Sequence, residues 1–118
     1  MSNKIYVFET TVDGRHIKGN ALKAFKEYGA EYGVGYGLQG SSFAIPVSDE
    51  TLSALSIPKI QKYIESFIKF AKHNSHLIFE VTRIGCRYYE DREIAPMFKD
   101  APQNCILPVG WRSTFIHN

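Results

Sequence analysis

The sequence predicts an α/β fold, a small three-layer domain in which a mostly parallel sheet lies between helices. Short runs of β-branched and aromatic residues alternate along the chain with helical segments that have one apolar side. Connections of this length between strands favour parallel neighbours with helices on both faces. The chain has 118 residues and no internal repeat or linker. We therefore expect one domain over residues 1–118 with a single core.

The first half of the chain contains two predicted strands and one helix. Residues 5–8 are apolar throughout, as expected of a strand that is covered on both faces, and a polar loop over residues 9–19 follows them. Asn20 can cap a short helix that ends at Gly29. A loop rich in glycine and tyrosine then leads into the second strand, residues 42–47.

The second half contains the clearest helix, which begins near Pro58 because proline suits a first turn. Its apolar residues fall on one stripe, namely Ile60, Ile64, Phe67, Ile68 and Ala71. A third strand over residues 77–82 leads into a glycine turn. A short helix from about Asp91 and a last strand over residues 105–108 complete the predicted fold.

The composition argues against several classes of protein. The 14 Lys and Arg residues against 12 Asp and Glu residues give a formal net charge of +2, far from the basic excess of proteins that coat nucleic acids. Cys86 and Cys105 lack the spacing of a metal site, so we expect free thiols and neither a metal nor a cofactor. No segment is long and apolar enough to cross a membrane, so we expect a cytoplasmic protein.

Polar residues and glycines follow the predicted strands, at the sheet edge where α/β folds bind ligands. Arg15, His16 and Lys18 cluster in the first loop and could hold a phosphate, to which the dipole of the helix after Asn20 would add. Arg83 carries the planar guanidinium that pairs with phosphates. The predicted ligand-binding residues are Asp13, Arg15, His16, Lys18, Asn20, Tyr36, Gln39, Asp49, Arg83, Gly85, Cys86 and Tyr88.

These residues also have ordinary structural explanations. The basic loop can be a solvated surface, Arg83 can form an internal salt bridge, and Gly85 can serve a tight turn. Asp13 and Asp49 can hydrogen-bond a ribose or adenine, act as a carboxylate base, or simply cap a turn. Cys86 is more often a small buried residue than a nucleophile, because no partner base can be placed beside it.

Aromatic residues near the predicted edge also have two interpretations. The tyrosines that could stack on a base, or pack over the sheet instead, are Tyr32, Tyr36, Tyr88 and Tyr89. The glycine loop precedes a strand, so it matches neither a dinucleotide fingerprint nor a phosphate-binding P-loop. No Ser-centred elbow of the hydrolase type is present.

Several sequence runs carry a resemblance to a known family. They are Gly14-Arg15-His16, Gly37-Leu38-Gln39-Gly40-Ser41-Ser42-Phe43-Ala44-Ile45-Pro46, Val81-Thr82-Arg83-Ile84-Gly85-Cys86 and Glu93-Ile94-Ala95-Pro96. With them the chain resembles, over nearly its whole length, a family of small proteins common in phages and bacteria. That family is similar to a reduced macrodomain of the terminal ADP-ribose glycohydrolase type. The resemblance implies a pocket for ADP-ribose or a related nucleotide, formed by the loops after Phe8, Val47 and Ile84.

The same resemblance implies binding rather than catalysis. Ser48 stands where the glycohydrolases have a lysine that reacts with the ribose, and Tyr89 stands where they have a catalytic aspartate. We therefore expect a protein that sequesters a nucleotide signal in phage and host defence, and that can form a homo-oligomer. One alternative is an ADP-ribosyl or nucleotide hydrolase. The acid or base residues it would use are Asp13, His16, Asp49 and Glu90. Another is a protein-interaction module that docks through the aromatic tail, residues 111–116.

Overall fold

The computed structural model describes residues 3–113, and within them five strands form one mixed sheet. The strands are β1 Lys4–Thr11, β2 Gly37–Gln39, β3 Ser42–Ser48, β4 Ile78–Val81 and β5 Cys105–Ile106. Their order in the sheet is β2-β3-β1-β4-β5. β1 pairs in parallel with β3 and β4, and β4 pairs in parallel with β5, whereas β2 is antiparallel to β3. The predicted α/β class is therefore confirmed.

Three α-helices accompany the sheet in the described residues. They are α1 Gly19–Glu27, α2 Ile57–Lys72 and α3 Asp91–Ile94, which continues into a 3₁₀ turn at Ala95–Phe98. α2 has Ser56 as its N-cap, whose hydroxyl accepts the Lys59 N–H at 3.4 Å, and all five residues of its predicted apolar stripe are buried. Glu90 and Glu93 form a capping box that starts α3. No helix in residues 3–113 has the length and apolar character needed to span a bilayer.

The alternation of side chains along β1 makes the sheet the middle layer of the domain. Ile5 and Val7 belong to the core cluster that contains the buried residues of α2. Tyr6 and Phe8 point to the opposite face and pack with the buried alanines of α1. Burial of each large apolar side chain contributes about 1.5–3 kcal/mol. Both faces of the sheet are thus held by apolar packing, as the unbroken apolar run in the sequence predicts.

The structure differs from the sequence prediction at the ends of the strands. β1 continues through Glu9, Thr10 and Thr11, which we predicted as a polar loop, because its parallel ladder with β3 extends that far. A bulge separates Thr10 from Thr11, and Thr11 then pairs with Ser48. β2 lies within the predicted glycine and tyrosine loop, because three residues are too few to show a strand pattern. The predicted third and last strands, over residues 77–82 and 105–108, are shorter than expected.

The glycine and tyrosine loop lies backbone to backbone against the loop that follows β1. A Cβ atom at Gly35 would be 2.3 Å from the Val12 carbonyl oxygen, and one at Gly14 would be 2.3 Å from the Val34 nitrogen. The Gly33 N–H donates to the Gly14 carbonyl at 2.8 Å. Only glycine allows backbones to approach this closely, so these glycines fix the path of the loop.

The described part of the aromatic tail belongs to the core. Trp111 is 1% exposed and its ring lies 5.3 Å, centroid to centroid, from that of Phe98. The Arg112 guanidinium donates to the Cys105 carbonyl at 2.8 Å. The indole is therefore unavailable for the docking that we predicted for residues 111–116, and residues 114–116 lie outside the described part of the chain.

Candidate functional site

A cavity of about 360 Å³ opens at the carboxyl ends of β1, β3 and β4, beside the first turn of α1. Its lining residues are Glu9, Thr10, Thr11, Arg15, Ile17, Lys18, Gly19, Asn20, Ala21, Val47, Ser48, Leu52, Arg83, Arg87 and Tyr88. This is the edge of a parallel sheet at which α/β proteins bind ligands. The lining combines charged side chains with the backbone of a helix start, so the cavity is suited to a polar ligand.

Basic side chains dominate the charge of this cavity. Among the described residues, the basic residues that line the cavity are Arg15, Lys18, Arg83 and Arg87. Arg15 is bound to Asp13, with 3.3 Å between Nε and Oδ2, and to the Glu50 carbonyl. Within the described part of the chain, Lys18 and Arg87 form no salt bridge, so their positive charges stay available to an anion.

The N-terminus of α1 opens into the same cavity without a side-chain cap. Lys18 occupies the N-cap position with extended backbone, φ −159° and ψ 165°, and its side chain makes no capping hydrogen bond. Asn20, which we predicted as the cap, lies inside the first turn, because Gly19 adopts φ +61° and starts the helix earlier. The backbone N–H groups of this turn and the helix dipole therefore face the cavity, as in many phosphate sites.

Glu9 brings one carboxylate into the basic surroundings. Its Oε1 accepts the Gly85 N–H at 2.7 Å. Partial burial raises the pKa of the Glu9 carboxyl, while the Gly85 N–H and the Arg87 charge oppose that rise. A polar residue near the end of an apolar strand is a signal that sequence analysis can find, but we assigned Glu9 to the loop and missed it.

Thr10 begins a buried hydrogen-bond chain. The Gln39 Oε1 accepts the Glu31 N–H at 2.8 Å and its Nε2 donates to the Val34 carbonyl, which fixes the orientation of the amide. His16 Nε2 lies 3.2 Å from that Oε1 and must donate to it, so Nδ1 accepts the Thr10 hydroxyl at 2.9 Å. His16 is 1% exposed. The predicted direct ligand contacts of His16 and Gln39 are therefore replaced by contacts inside the protein.

Asp13 and Asp49 shape the loops around the cavity rather than line it. The Thr11 hydroxyl donates to Asp13 at 2.6 Å. The Asp49 carboxylate accepts the Thr51 and Ser53 N–H groups at 2.9 and 3.0 Å, which closes the turn that carries Leu52. The Thr51 hydroxyl, which donates to the same carboxylate at 2.6 Å, lowers the pKa of Asp49 most, and the two N–H groups lower it further. We left three roles open for both residues: contact with a ribose or adenine, action as a base, and capping of a turn. The contacts within the protein are those of the third role.

Arg83 connects the cavity to the C-terminal segment. Its Nη1 lies 2.5 Å from Asp91 Oδ2, and its Nη2 donates to the Val109 carbonyl at 3.1 Å. The Cys86 thiol donates to Asp91 Oδ1 at 2.9 Å, and hydrogen bonds from Cys86 and Arg83 lower the pKa of Asp91. Burial, followed by the Asp91 contact, raises the pKa of Cys86 to about 12. Cys86 is thus a hydrogen-bond donor in a structural cluster.

Of the two tyrosines that we predict to bind the ligand, Tyr88 lines the cavity and Tyr36 does not. Tyr88 lines the cavity, and its hydroxyl donates to the Leu52 carbonyl at 3.1 Å. Tyr36 packs instead against Phe43 and Tyr63, with ring centroids 5.3 and 5.5 Å away. The predicted ligand contact of Tyr36 is therefore not part of this cavity.

Five of the twelve predicted ligand-binding residues line the cavity within the described chain. They are Arg15, Lys18, Asn20, Arg83 and Tyr88. Gly85 supports the lining through its bond to Glu9. The prediction missed the charged side chains of Glu9 and Arg87, and Arg87 had no sequence signal beyond its place after the glycine turn.

Nothing in residues 3–113 groups three or more side chains that could ligate a metal ion. Cys86 and Cys105 are free thiols. Comparisons of the chain with models of protein families, with curated proteins and with solved structures give no match.

Proposed function

We propose that this protein binds a small phosphate-bearing ligand of the nucleotide class in the cavity at the carboxyl ends of β1, β3 and β4. The observation that carries the proposal is the start of α1, which has no side-chain cap and faces a cavity lined by Lys18 and Arg87, two basic residues that form no salt bridge within residues 3–113. Helix N-H groups and cations together favour a phosphate over a neutral ligand.

The size of the cavity limits the ligand. Ligand pockets span about 300–1,000 Å³, so a volume of about 360 Å³ lies near the lower end of that range. The cavity suits one phosphorylated nucleoside or sugar unit, and a larger ligand would extend beyond it. ADP-ribose is the first candidate because of the macrodomain resemblance of the sequence. Sequestration of such a nucleotide signal during phage infection is the biological role that we propose.

Thermal-shift titration with ADP-ribose, AMP and inorganic pyrophosphate tests the proposal. A ligand that binds only the folded chain stabilises it by RT ln(1 + [L]/Kd), so a saturable rise in melting temperature is expected. Each charge-assisted hydrogen bond contributes about 1.5–3 kcal/mol. The double variant Lys18→Ala, Arg87→Ala should therefore weaken binding by at least about 100-fold.

The matched control removes two exposed lysines from α2, in the variant Lys62→Ala, Lys69→Ala. It carries the same change of charge away from the cavity and should bind like the unchanged protein. High salt should weaken binding in both the control and the unchanged protein, because the contacts are ionic. The proposal fails if no phosphate compound shifts the melting temperature, or if both double variants lose binding equally.

A hydrolase is the second candidate, and the chain of Thr10, His16 and Gln39 favours it. A hydroxyl on the cavity wall donates to a histidine nitrogen at 2.9 Å, and a third group holds the histidine, as in activated nucleophiles. The burial of His16 favours a structural role, so binding ranks first.

Chromatography of ADP-ribose and AMP after incubation with the protein separates the two candidates. Turnover that Thr10→Val abolishes while ADP-ribose binding is retained would establish the hydrolase. Intact ligands recovered from a protein that they stabilise would establish the binder.

A further inference from the structure

We infer that Glu9 distinguishes the ligand from a bare anion, by accepting a hydrogen bond from a hydroxyl or amino group that the ligand carries beside its phosphate. The ligand class is then a phosphorylated sugar or nucleoside. This inference rests on the proposed function and adds to it the neutral part of the ligand.

The charge pattern of the cavity is the first support. Among the residues that line it in the described chain, Glu9 is the only acidic one, and it stands among four basic residues. A site for inorganic phosphate or pyrophosphate would be weakened by a negative side chain, because like charges repel in a partly buried site. The presence of Glu9 therefore favours a ligand that carries a hydrogen-bond donor beside its phosphate.

The hydrogen bonds of Glu9 are the second support. Oε1 accepts the Gly85 N–H at 2.7 Å, and no other hydrogen bond or salt bridge to Glu9 is formed within residues 3–113. A carboxylate offers about four acceptor sites on its two oxygens. Glu9 thus lines the cavity with acceptor capacity that the described part of the protein leaves unused.

The environment of Glu9 makes this unused capacity costly. The side chain is partly buried and burial raises its pKa, so the carboxylate has lost water contacts that the Gly85 N–H and the Arg87 charge replace only in part. A donor on the ligand would replace the lost contacts. Glutamine at this position would keep an oxygen for the Gly85 N–H but would accept more weakly, because it has no charge.

Titration of the unchanged protein and of Glu9→Gln with two probes, ADP-ribose and inorganic pyrophosphate, tests the inference. Loss of one charge-assisted acceptor should weaken ADP-ribose binding about 10- to 100-fold. Pyrophosphate binding should stay unchanged or become tighter, because a repulsive charge has been removed. Opposite responses to one substitution would not arise from a general loss of structure.

The matched control is Glu80→Gln, a partly buried glutamate on the adjacent strand β4 that does not line the cavity. It should leave both affinities unchanged. A second measurement needs no variant: the unchanged protein should bind ribose 5-phosphate at least about 10-fold more tightly than inorganic phosphate.

The outcomes separate this inference from the proposed function. Suppose that Glu9→Gln weakens the binding of both probes equally, or of neither, and that ribose 5-phosphate binds no more tightly than phosphate. The role of Glu9 is then overturned, while phosphate binding stands. If the unchanged protein binds no probe at all, the proposed function and the inference fall together.

Discussion

At the scale of single residues, the cavity depends on a few charges whose surroundings differ. Arg83 is held by Asp91 and the Val109 carbonyl, whereas Arg87 forms no salt bridge within residues 3–113. The sequence shows both arginines but not which of them is already paired. The pairing depends on α3 and the C-terminal segment, which the fold brings beside the glycine turn. The presence of two arginines could be predicted here, but which of them has a charge available to a ligand could not.

Glu9→Gln should raise the stability of the ligand-free protein at neutral pH. Burial raises the pKa of Glu9 above its ordinary 4.5, so the folded state keeps a proton where the unfolded state has lost it. Stability from this carboxyl therefore falls as pH rises from about 4.5 through the folded-state pKa. Urea unfolding at neutral pH and below pH 4.5 should show a gain for the variant at neutral pH that disappears in acid. A gain of equal size at both pH values would contradict this explanation.

Cys86 should react slowly with iodoacetamide at neutral pH. Its pKa of about 12 leaves almost no thiolate, the reactive form. Asp91→Asn removes the charge that accepts the thiol hydrogen bond, so it should lower the pKa and speed the labelling of Cys86. Mass spectrometry of the labelled peptides measures both cysteines, and Cys105 in β5, whose pKa burial raises to about 11, serves as the internal control. Fast labelling of Cys86 in the unchanged protein would contradict the burial and bonding described above.

At the scale of secondary-structure elements, long apolar patterns in the sequence predict the structure, whereas the short signals at helix ends do not. α2 could be predicted from its apolar stripe because five buried residues repeat at helical spacing. The start of α1 could not, because Gly19 and an extended Lys18 replace the expected side-chain cap. The missing cap also leaves the first-turn N–H groups of α1, beside the cavity, without a capping side chain in the described part of the protein. The prediction therefore failed at the position that the proposed function uses.

Lys18→Ser should stabilise α1 and weaken phosphate binding at the same time. A serine at the N-cap accepts an N–H of the first turn, and such caps contribute about 1 kcal/mol. The same bond occupies a group that would otherwise contact the ligand, and the lysine charge is lost. Urea unfolding and pyrophosphate titration of one preparation measure both effects.

Ser56→Ala supplies the reverse control, because it removes a cap from α2 that lies outside the cavity. It should lower the free energy of unfolding by about 1 kcal/mol and leave pyrophosphate affinity unchanged. A Lys18→Ser protein that binds pyrophosphate as well as before would show that the α1 start is not part of the phosphate site.

At the scale of the whole molecule, the layers could be predicted from apolar runs and helix periodicity. The radius of gyration is 13.3 Å, close to the about 13.5 Å expected of a compact domain of this length. The position of the tail could not be predicted, because a tryptophan near a chain end fits either a core or a docking surface. A homo-oligomer stays a prediction, which sedimentation of the purified protein would test.

Trp111→Ala should destabilise the whole domain. Trp111 is 1% exposed and packs on Phe98, and loss of a buried aromatic side chain costs about 3–5 kcal/mol. That is a large part of the total stability of a typical domain. Val109→Ala, at a neighbouring position that is 91% exposed, should change the free energy of unfolding by less than about 0.5 kcal/mol. Equal urea midpoints for the two variants would show that the tail does not belong to the core.

The cavity is built from three stretches that are far apart along the chain: residues 9–21, from the end of β1 to the start of α1, residues 47–52 at the end of β3, and residues 83–88 after β4. None of them contains the site alone, and they meet only when the parallel strands have formed. A peptide cut from any one of these stretches would therefore lack the cavity. If the proposed ligand binds, the number of binding sites per mole of protein reports the fraction of molecules that have completed folding, and a titration to saturation doubles as an assay of native protein.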